Sequence, residues 1–407
     1  MEDESHLVDN LISLQNEIEV MIGNFDDDLL AQNVRIAFSQ FIHPKEKTVA
    51  TLLARYLDHK LRAGNTALTD AELADRMDNA LVIFRTLSSK DVFEAVFTRL
   101  FARRILLRRS ASSDSERAML ERLRGEYGPD FVARLEAMLR DIELSDELMG
   151  VYPGVQVSAA GSTFNFEVSV LTHSHWPTFK DVNVNLPDFL ANAHKQFESF
   201  YQTRYSGRTI HWNHNLGSCV LNADLGRAGT RILHLSALQA LVLLLFNDAT
   251  VLSYEDIQKA TMIEPAELKR TLQSLACGTI PTRVLRKQPQ GRDVDNTDTF
   301  RVNENLQNNH RRIRINEIQM QDTPEEHREV EHRVVIDRDL LLQAAAMRVL
   351  KARKRIEHND LVTEVVAQTR NRFSVEISEL KKAFERLIEK DFMERDKHDH
   401  NIYLYVA

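Results

Sequence analysis

The 407-residue sequence predicts a mainly α-helical chain with a smaller α/β part, arranged as a helical bundle, an α/β sheet domain and two winged-helix domains. Three observations predict this class. Apolar residues recur at three- and four-residue steps through residues 1–110. Apolar and polar residues alternate in several stretches between residues 154 and 235, which is the period of β-strands. After residue 235, a helix-rich pattern occurs twice.

The predicted bundle covers residues 1–110. Its first helix carries an apolar stripe of Leu7, Leu11, Leu14, Ile18 and Met21. Further helices are predicted over 27–41, from Glu46 to a C-cap at Gly64, from the cap Thr69-Asp70, and over 91–109. The short connections between these helices favour antiparallel neighbours, and a bundle therefore buries their apolar stripes with the fewest loops.

The predicted α/β region covers residues 111–235. Phe164, Phe166, Val168 and Val170 alternate with polar residues and indicate a half-buried strand. More strands are predicted over 209–212, 218–223 and 232–235, with a helix over 187–204. Turn glycines at Gly207 and Gly217 bound these segments.

An internal repeat predicts the two winged helices. The sequence Glu267-Leu-Lys-Arg returns 112 residues later as Glu379-Leu-Lys-Lys. Each copy follows two helical segments and precedes a hairpin-like tail, which is the winged-helix order of three helices and a wing. We expect the domains to cover 236–311 and 333–407. The segment 312–332 is predicted to be a linker in which 321–326 is flexible, with 321–331 tethering the last domain.

Residues 337–356 are predicted to form an amphipathic helix. Its apolar side carries Leu342, Ala345, Val349, Ala352 and Ile356, and its basic side carries Arg348, Lys351, Lys354 and Arg355. Asp337 and Asp339 occur where an N-terminal cap and the helix dipole favour acids. Lys351 is therefore expected to face water. Such a face is typical of a solvated helix or of a DNA-recognition surface.

Composition narrows the class of protein. Two cysteines indicate a reducing compartment, nucleus or cytoplasm, and disfavour disulfides or a cysteine-built zinc site. A net charge of −8 disfavours nucleic acid as the main partner, and no apolar run is long enough for a membrane span. The histidine pairs His173/His175 and His211/His214 lack further ligands at zinc-like spacing. We find no nucleophile with a base and no phosphate loop, so the sequence predicts no enzyme activity, cofactor or metal.

The motif Met347-Arg-Val-Leu-Lys-Ala-Arg-Lys354 resembles the modification motif near the C-terminus of cullins, the scaffolds of RING-type ubiquitin ligases. Other segments resemble that family in the same order along the chain. They include Lys60–Asn65, Lys90–Ala95, Arg109–Asp114, His175–Pro177, Ser206–Arg208 with Trp212 and Leu216-Gly217, and Tyr403–Ala407. The resemblance covers the C-terminal half of a cullin, and Leu272–Gly278 and Ile315–Met320 are most similar to the cullin-4 type.

The resemblance implies a noncatalytic scaffold in ubiquitin-dependent protein catabolism. Lys351 would receive a ubiquitin-like modifier through an isopeptide bond, the modification called neddylation, with Arg348, Lys354 and Arg355 supporting that face. A RING-box protein would add a strand near Phe164, Phe166, Val168 and Val170 and recruit a ubiquitin-conjugating enzyme. The modified domain is expected to swing free on its linker.

The sequence leaves open the fate of the N-terminal repeats and an alternative function. Cullins carry several hundred residues of helical repeats before this region, and Met1 here begins without them, so either a truncated form or the loss of receptor binding is expected. The alternative function is a winged-helix nucleic-acid-binding protein that uses Lys381, Lys382 and the face 348–355 on phosphates. A steep salt dependence of DNA binding would favour this alternative over the scaffold.

Overall fold

The computed structural model describes residues 2–25, 28–62, 69–154, 158–159, 162–179, 181–308, 310–315, 324–370 and 372–406. The chain divides into two compact units. The first combines Met1–Ile142, Leu171–Pro177 and Pro324–Ala407, and the second combines Glu143–Val170 with Thr178–Thr323. None of the described helices is long and apolar enough to cross a bilayer.

Seven helices come first along the chain. They are α1 (Glu2–Gly23), α2 (Asp28–Ile42), α3 (Glu46–Leu61), α4 (Asp70–Thr86), α5 (Lys90–Leu106), α6 (Ser113–Tyr127) and α7 (Pro129–Val151). The predicted start at Thr69 is confirmed, because Thr69 accepts from the amide of Glu72 and the Glu72 carboxylate accepts from the amide of Thr69. The predicted C-cap at Gly64 lies outside the described residues.

Helix α5 runs through the bundle core. Phe93, Phe97 and Phe101 recur every fourth residue, are fully buried, and stack at centroid distances of 5.3 and 6.1 Å. One turn later, Arg104 is also buried and pairs with Glu116 of α6 at 2.6 Å and with Asp58 of α3. An arginine can remain charged in this core because two carboxylates satisfy its guanidinium.

The second unit contains the α/β region and the first winged helix. Its elements in chain order are β1 (Ser158–Ala159), β2 (Ser162–Thr163), α8 (Asp188–Arg204), β3 (Ser218–Asp224), β4 (Thr230–Ser236), α9 (Ala237–Leu244), β5 (Val251–Ser253), α10 (Tyr254–Thr261), α11 (Pro265–Ala276), β6 (Leu285–Gln288), β7 (Thr299–Val302) and β8 (Arg312–Arg314). Strands β3 and β4 pair antiparallel, and β8 joins β4 in parallel. The predicted strands 218–223 and 232–235 and the predicted helix 187–204 are therefore confirmed.

The first winged helix packs α9, α10 and α11 on a three-stranded sheet of order β5-β7-β6. Leu268, Leu272 and Leu275 of α11 are fully buried in its core with Phe300 of β7. This is the arrangement that the repeated helix-and-hairpin pattern predicts.

The second winged helix belongs to the first unit. It consists of α12 (Pro324–Arg353), β9 (Arg355–Glu357), α13 (His358–Thr369), α14 (Ile377–Glu389), β10 (Met393–Arg395) and β11 (Ile402–Tyr405), with sheet order β10-β11-β9. Its core contains Leu342, Val349, Leu361, Phe384 and Tyr403. Both winged helices therefore have a wing hairpin and one further strand.

Three predictions about secondary structure differ from the fold. Residues 164–170 and 209–212 are extended, but they are not paired as strands. Part of the segment predicted as a linker is regular structure, because β8 occupies Arg312–Arg314 and α12 begins at Pro324. The rest, 316–323, lies outside the described residues, as does most of the cullin-4-like segment Ile315–Met320.

Candidate functional site

The last turns of α12 present Lys351 to solvent. Val349 and Leu350 are 3% and 0% exposed and anchor this turn in the core of the second winged helix. The backbone between them and Arg353 stays helical, so Lys351 is rotated away from the core, as the helical wheel predicts. Among the described residues, no hydrogen bond or ion pair holds its ammonium group, and the amine is free to move.

Lys354 has a different environment. Its backbone is left-handed, with φ of 65°, and its amide donates to the Leu350 carbonyl at 2.7 Å, closing the helix. The amide of Tyr405 in β11 donates to the Lys354 carbonyl at 2.9 Å. Lys354 Nζ lies 4.4 Å from the centre of the Tyr405 ring. The C-terminal strand thus holds both the backbone and the side chain of Lys354.

The three neighbouring arginines are also partnered. Arg348 Nε donates to Gln368 of α13 at 3.1 Å, and Arg353 pairs with Glu364 of the same helix at 2.7 Å. Arg355 lies on β9 and pairs with Asp396 at 3.1 Å. The prediction that Lys351, Lys354 and Arg355 share one helical face is therefore wrong, because α12 ends at Arg353 and the chain turns at Lys354.

The predicted helix N-terminus at Asp337 and Asp339 is wrong as well. Helix α12 already includes both residues, since it begins at Pro324. Asp339 accepts from Gln343 at 2.7 Å and pairs with Arg386 of α14. The partners of Asp339 are therefore side chains of the winged helix rather than the amides of a helix end.

The residues predicted to contact a RING partner follow one another along an extended segment of the second unit. Phe164, Phe166, Val168 and Val170 are partly buried and pack against one apolar cluster, whereas the residues between them are exposed. The cluster consists of Leu148, Tyr152, Ala193, Phe197 and Tyr201. Phe164 meets Phe189 of α8 edge to face at 5.4 Å. Within the described residues, no backbone hydrogen bond joins 164–169 to another strand. This segment therefore has the alternation of a strand and backbone groups that a further strand could pair.

A second extended segment packs on the same helix. Trp212 stacks on His194 of α8 at 3.8 Å with an angle of 9° between the rings, and its Nε1 donates to Glu198 at 2.6 Å. His214 lies parallel to His194 at 5.5 Å. Burial, together with His214, lowers the pKa of His194 to about 4, while Glu198 opposes that shift. Trp212 lies 6.4 Å from Phe166, so both extended segments meet on one aromatic surface.

A contact that the sequence did not reveal joins the second winged helix to the bundle. Arg338 of α12 makes a bidentate ion pair with Asp91 of α5, with one N–O distance of 2.9 Å, and its guanidinium lies 4.9 Å from the Phe373 ring centre. The Arg372 carbonyl accepts from the amides of Lys90 and Asp91 at 3.0 and 3.3 Å. The winged helix thereby caps the N-terminus of α5. The helix predicted over 337–356 includes Arg338, but the residues around Arg338 in the sequence do not indicate that its partner lies on α5.

Lys381 and Lys382, proposed for phosphate binding in the alternative function, are exposed on α14. The arginines expected to act with them have acidic or amide partners, as described for Arg348, Arg353 and Arg355. The face is therefore less positive than its sequence suggests. Among the described residues, no three His, Cys, Asp or Glu side chains converge as metal ligands.

Family models and individual relatives both identify the same protein family. Residues 1–149 match the cullin alpha solenoid domain, 170–306 the cullin alpha+beta domain, and 337–399 the cullin protein neddylation domain. Mouse Cullin-4A is 39% identical over the whole chain, Arabidopsis thaliana Cullin-3A is 34% identical over the whole chain, and Schizosaccharomyces pombe Cullin-4 is 34% identical over 98% of it. The chain spans 53%, 55% and 55% of these relatives, about half the length of each.

Proposed function

Since this chain belongs to the cullin family, we propose that it is a noncatalytic scaffold of a cullin-RING ubiquitin ligase. In this function the chain binds a RING-box protein, acts in ubiquitin-dependent protein catabolism, and is regulated by a ubiquitin-like modifier attached to Lys351. A scaffold accelerates transfer by holding donor and acceptor in proximity, so it requires no catalytic side chain. Work in the cytoplasm and nucleus fits the cysteine usage.

The observation that carries this proposal is the state of Lys351. It lies inside the stretch 337–399 that matches the neddylation domain, and it is exposed and unpaired among the described residues. Isopeptide formation requires an amine that can approach a thioester and lose its proton. A lysine already engaged by a neighbouring group must first leave that partner, whereas Lys351 has no such partner in the part of the chain that the structure describes.

The test is transfer of the modifier by its activating and conjugating enzymes to purified chain. We expect one adduct on the wild type, its loss in Lys351→Arg, and its retention in Lys354→Arg. Arginine preserves the positive charge but cannot form the bond, so the pair of variants separates chemistry from electrostatics. An adduct that persists in Lys351→Arg would contradict the assignment.

The RING-box interaction rests on the extended segment 164–170. An added strand would pair with its backbone while Phe166 and Val168 keep their contacts with the α8 surface. Successive residues of an extended segment direct their backbone N–H groups to opposite edges. The added strand would therefore depend on one of two alternating sets of amides.

Proline substitution tests this pairing because proline removes an amide donor. Glu167→Pro and Val168→Pro examine the two edges, and Glu167→Ala is the control at an exposed side chain. We expect one of the proline variants to weaken RING-box binding on the order of 100-fold, and the alanine variant to bind as the wild type does. Wild-type affinity in both proline variants would exclude strand addition here.

A further inference from the structure

We propose that Tyr405 determines which lysine of the neddylation region is available as an acceptor, by withholding Lys354 and leaving Lys351. This inference rests on the proposed modification at Lys351 and concerns its selectivity. The two lysines are three positions apart and both are exposed, so exposure alone does not distinguish them. Their contacts do.

One backbone feature and two contacts with Tyr405 fix the position of Lys354. The left-handed backbone turns the chain out of α12, the Tyr405 amide binds the Lys354 carbonyl, and the Tyr405 ring attracts the ammonium at 4.4 Å. Tyr405 is itself fixed, because β11 pairs with both β10 and β9. The ring therefore has a defined position over which the charged amine is held.

The chemistry explains why such a contact affects selectivity. In the transfer, the neutral ε-amine of lysine attacks the thioester carbonyl of the modifier carried on a conjugating-enzyme cysteine. A C–N bond forms, the C–S bond breaks, the cysteine leaves as thiolate, and the amine loses its proton to that thiolate or to water. A cation–π contact holds the amine over the ring, and the amine must leave this position before it can reach the thioester. Lys351 lacks such a contact within the described residues.

The arginines near Lys351 have partners of their own. Arg348 and Arg353 contact α13, and Arg355 contacts Asp396. Arginine cannot accept the modifier, so these residues do not compete with Lys351 or Lys354. Selectivity thus combines a free Lys351 with a restrained Lys354.

The decisive experiment measures amine reactivity without any transfer enzyme. Full-length chain is treated briefly with the N-hydroxysuccinimide ester of acetic acid, and the acetylation rates of Lys351 and Lys354 are obtained by peptide mass spectrometry. In the wild type we expect Lys351 to react about five-fold faster than Lys354. In Tyr405→Leu the two rates should become equal, and in Tyr405→Phe, which keeps the ring, the difference should remain.

A second arm uses the modifier and its transfer enzymes. Lys351→Arg should stay unmodified, and Lys351→Arg/Tyr405→Leu should gain an adduct at Lys354. Tyr405→Leu alone should still be modified at Lys351, which shows that this variant is folded. Equal wild-type acetylation rates, or no rise at Lys354 in Tyr405→Leu, would overturn the selectivity proposal. Absence of any adduct on wild-type chain with the acetylation pattern intact would instead overturn the proposed function.

Discussion

Replacing Arg338 with methionine should loosen the second winged helix from the bundle. Methionine keeps most of the side-chain length but removes the charge that pairs with Asp91. The two side chains are only 11% and 12% exposed, so the pair is largely shielded from water. As long as α12 of the variant still packs against α5, the Asp91 carboxylate is buried without the arginine that pairs with it in the wild type.

The size of the effect follows from that burial. Removing one member of a buried ion pair costs about 3–5 kcal/mol, because the other charge loses its compensation. We take the lower value, since undocking would let water reach Asp91. About 3 kcal/mol corresponds to roughly a 100-fold change in the equilibrium between docked and undocked winged helix.

Hydrogen exchange of two amides measures this equilibrium directly. The amides of Lys90 and Asp91 donate to the Arg372 carbonyl, so they lose these acceptors when the winged helix undocks. We expect Arg338→Met to accelerate their exchange by about 100-fold, while the amide of Phe97 in the middle of α5 exchanges as before.

Two matched variants control the experiment. Arg348→Met changes an arginine on the same helix that contacts Gln368 instead, and it should leave the exchange of Lys90 and Asp91 unchanged. The charge swap Asp91→Arg with Arg338→Asp should restore much of the protection. If Arg338→Met changed the exchange of Lys90 and Asp91 by less than three-fold, the ion pair would not hold the docked state.

Two further predictions concern other parts of the chain. Arg104→Leu should lower the free energy of unfolding of the bundle by about 3–5 kcal/mol, because it leaves Glu116 buried without its arginine and leaves Asp58 with Arg62 alone. Arg35→Ala at an exposed pair should cost less than ~1 kcal/mol, and chemical denaturation measures both changes. The pKa of His194 is lowered to about 4 in the fold. The free energy of unfolding of the α/β region should therefore be greatest above pH 6.5 and fall as the pH drops toward about 4, because the unfolded chain takes up the proton first. In a Trp176→Phe background the fluorescence of Trp212 should report this transition, and His194→Phe should abolish its pH dependence; a transition unchanged in that variant would assign it to another group, such as His214.

Much of the architecture was predictable because its signals are local. The helices of the bundle, the cap at Thr69, and the repeated helices with their wings each depend on residues close in sequence. The stripe predicted for α1 is wrong, because Leu7, Leu14 and Met21 are exposed, whereas Val8, Ile12 and Ile22 are buried. Lys351 was placed correctly for the same reason, since Val349 and Leu350 determine which side of the last turn faces water.

The errors come from partners that are distant in sequence. Asp337 and Asp339 have the composition of a helix N-terminus, but α12 begins at Pro324, and the partner of Asp339 is Arg386, 47 residues away. Phe164 to Val170 has the alternation of a strand, yet pairing requires a neighbouring strand that alternation cannot supply. Lys354 was grouped with Lys351 because a helical wheel assumes that the helix continues, and the positive φ at Lys354 ends it.

The geometry of α12 changes the regulatory expectation. A flexible tether over 321–331 would let a modified winged helix swing freely, but the described part of that tether, from Pro324, is helix. Arg338 and Lys351 are thirteen residues apart on α12, which places them about 20 Å apart along the axis and on roughly opposite faces. A modifier on Lys351 would therefore add bulk away from Asp91 and would not by itself displace Arg338. Release of the winged helix requires work against the contacts of Arg338 and Arg372, so docking and modification can coexist on one chain.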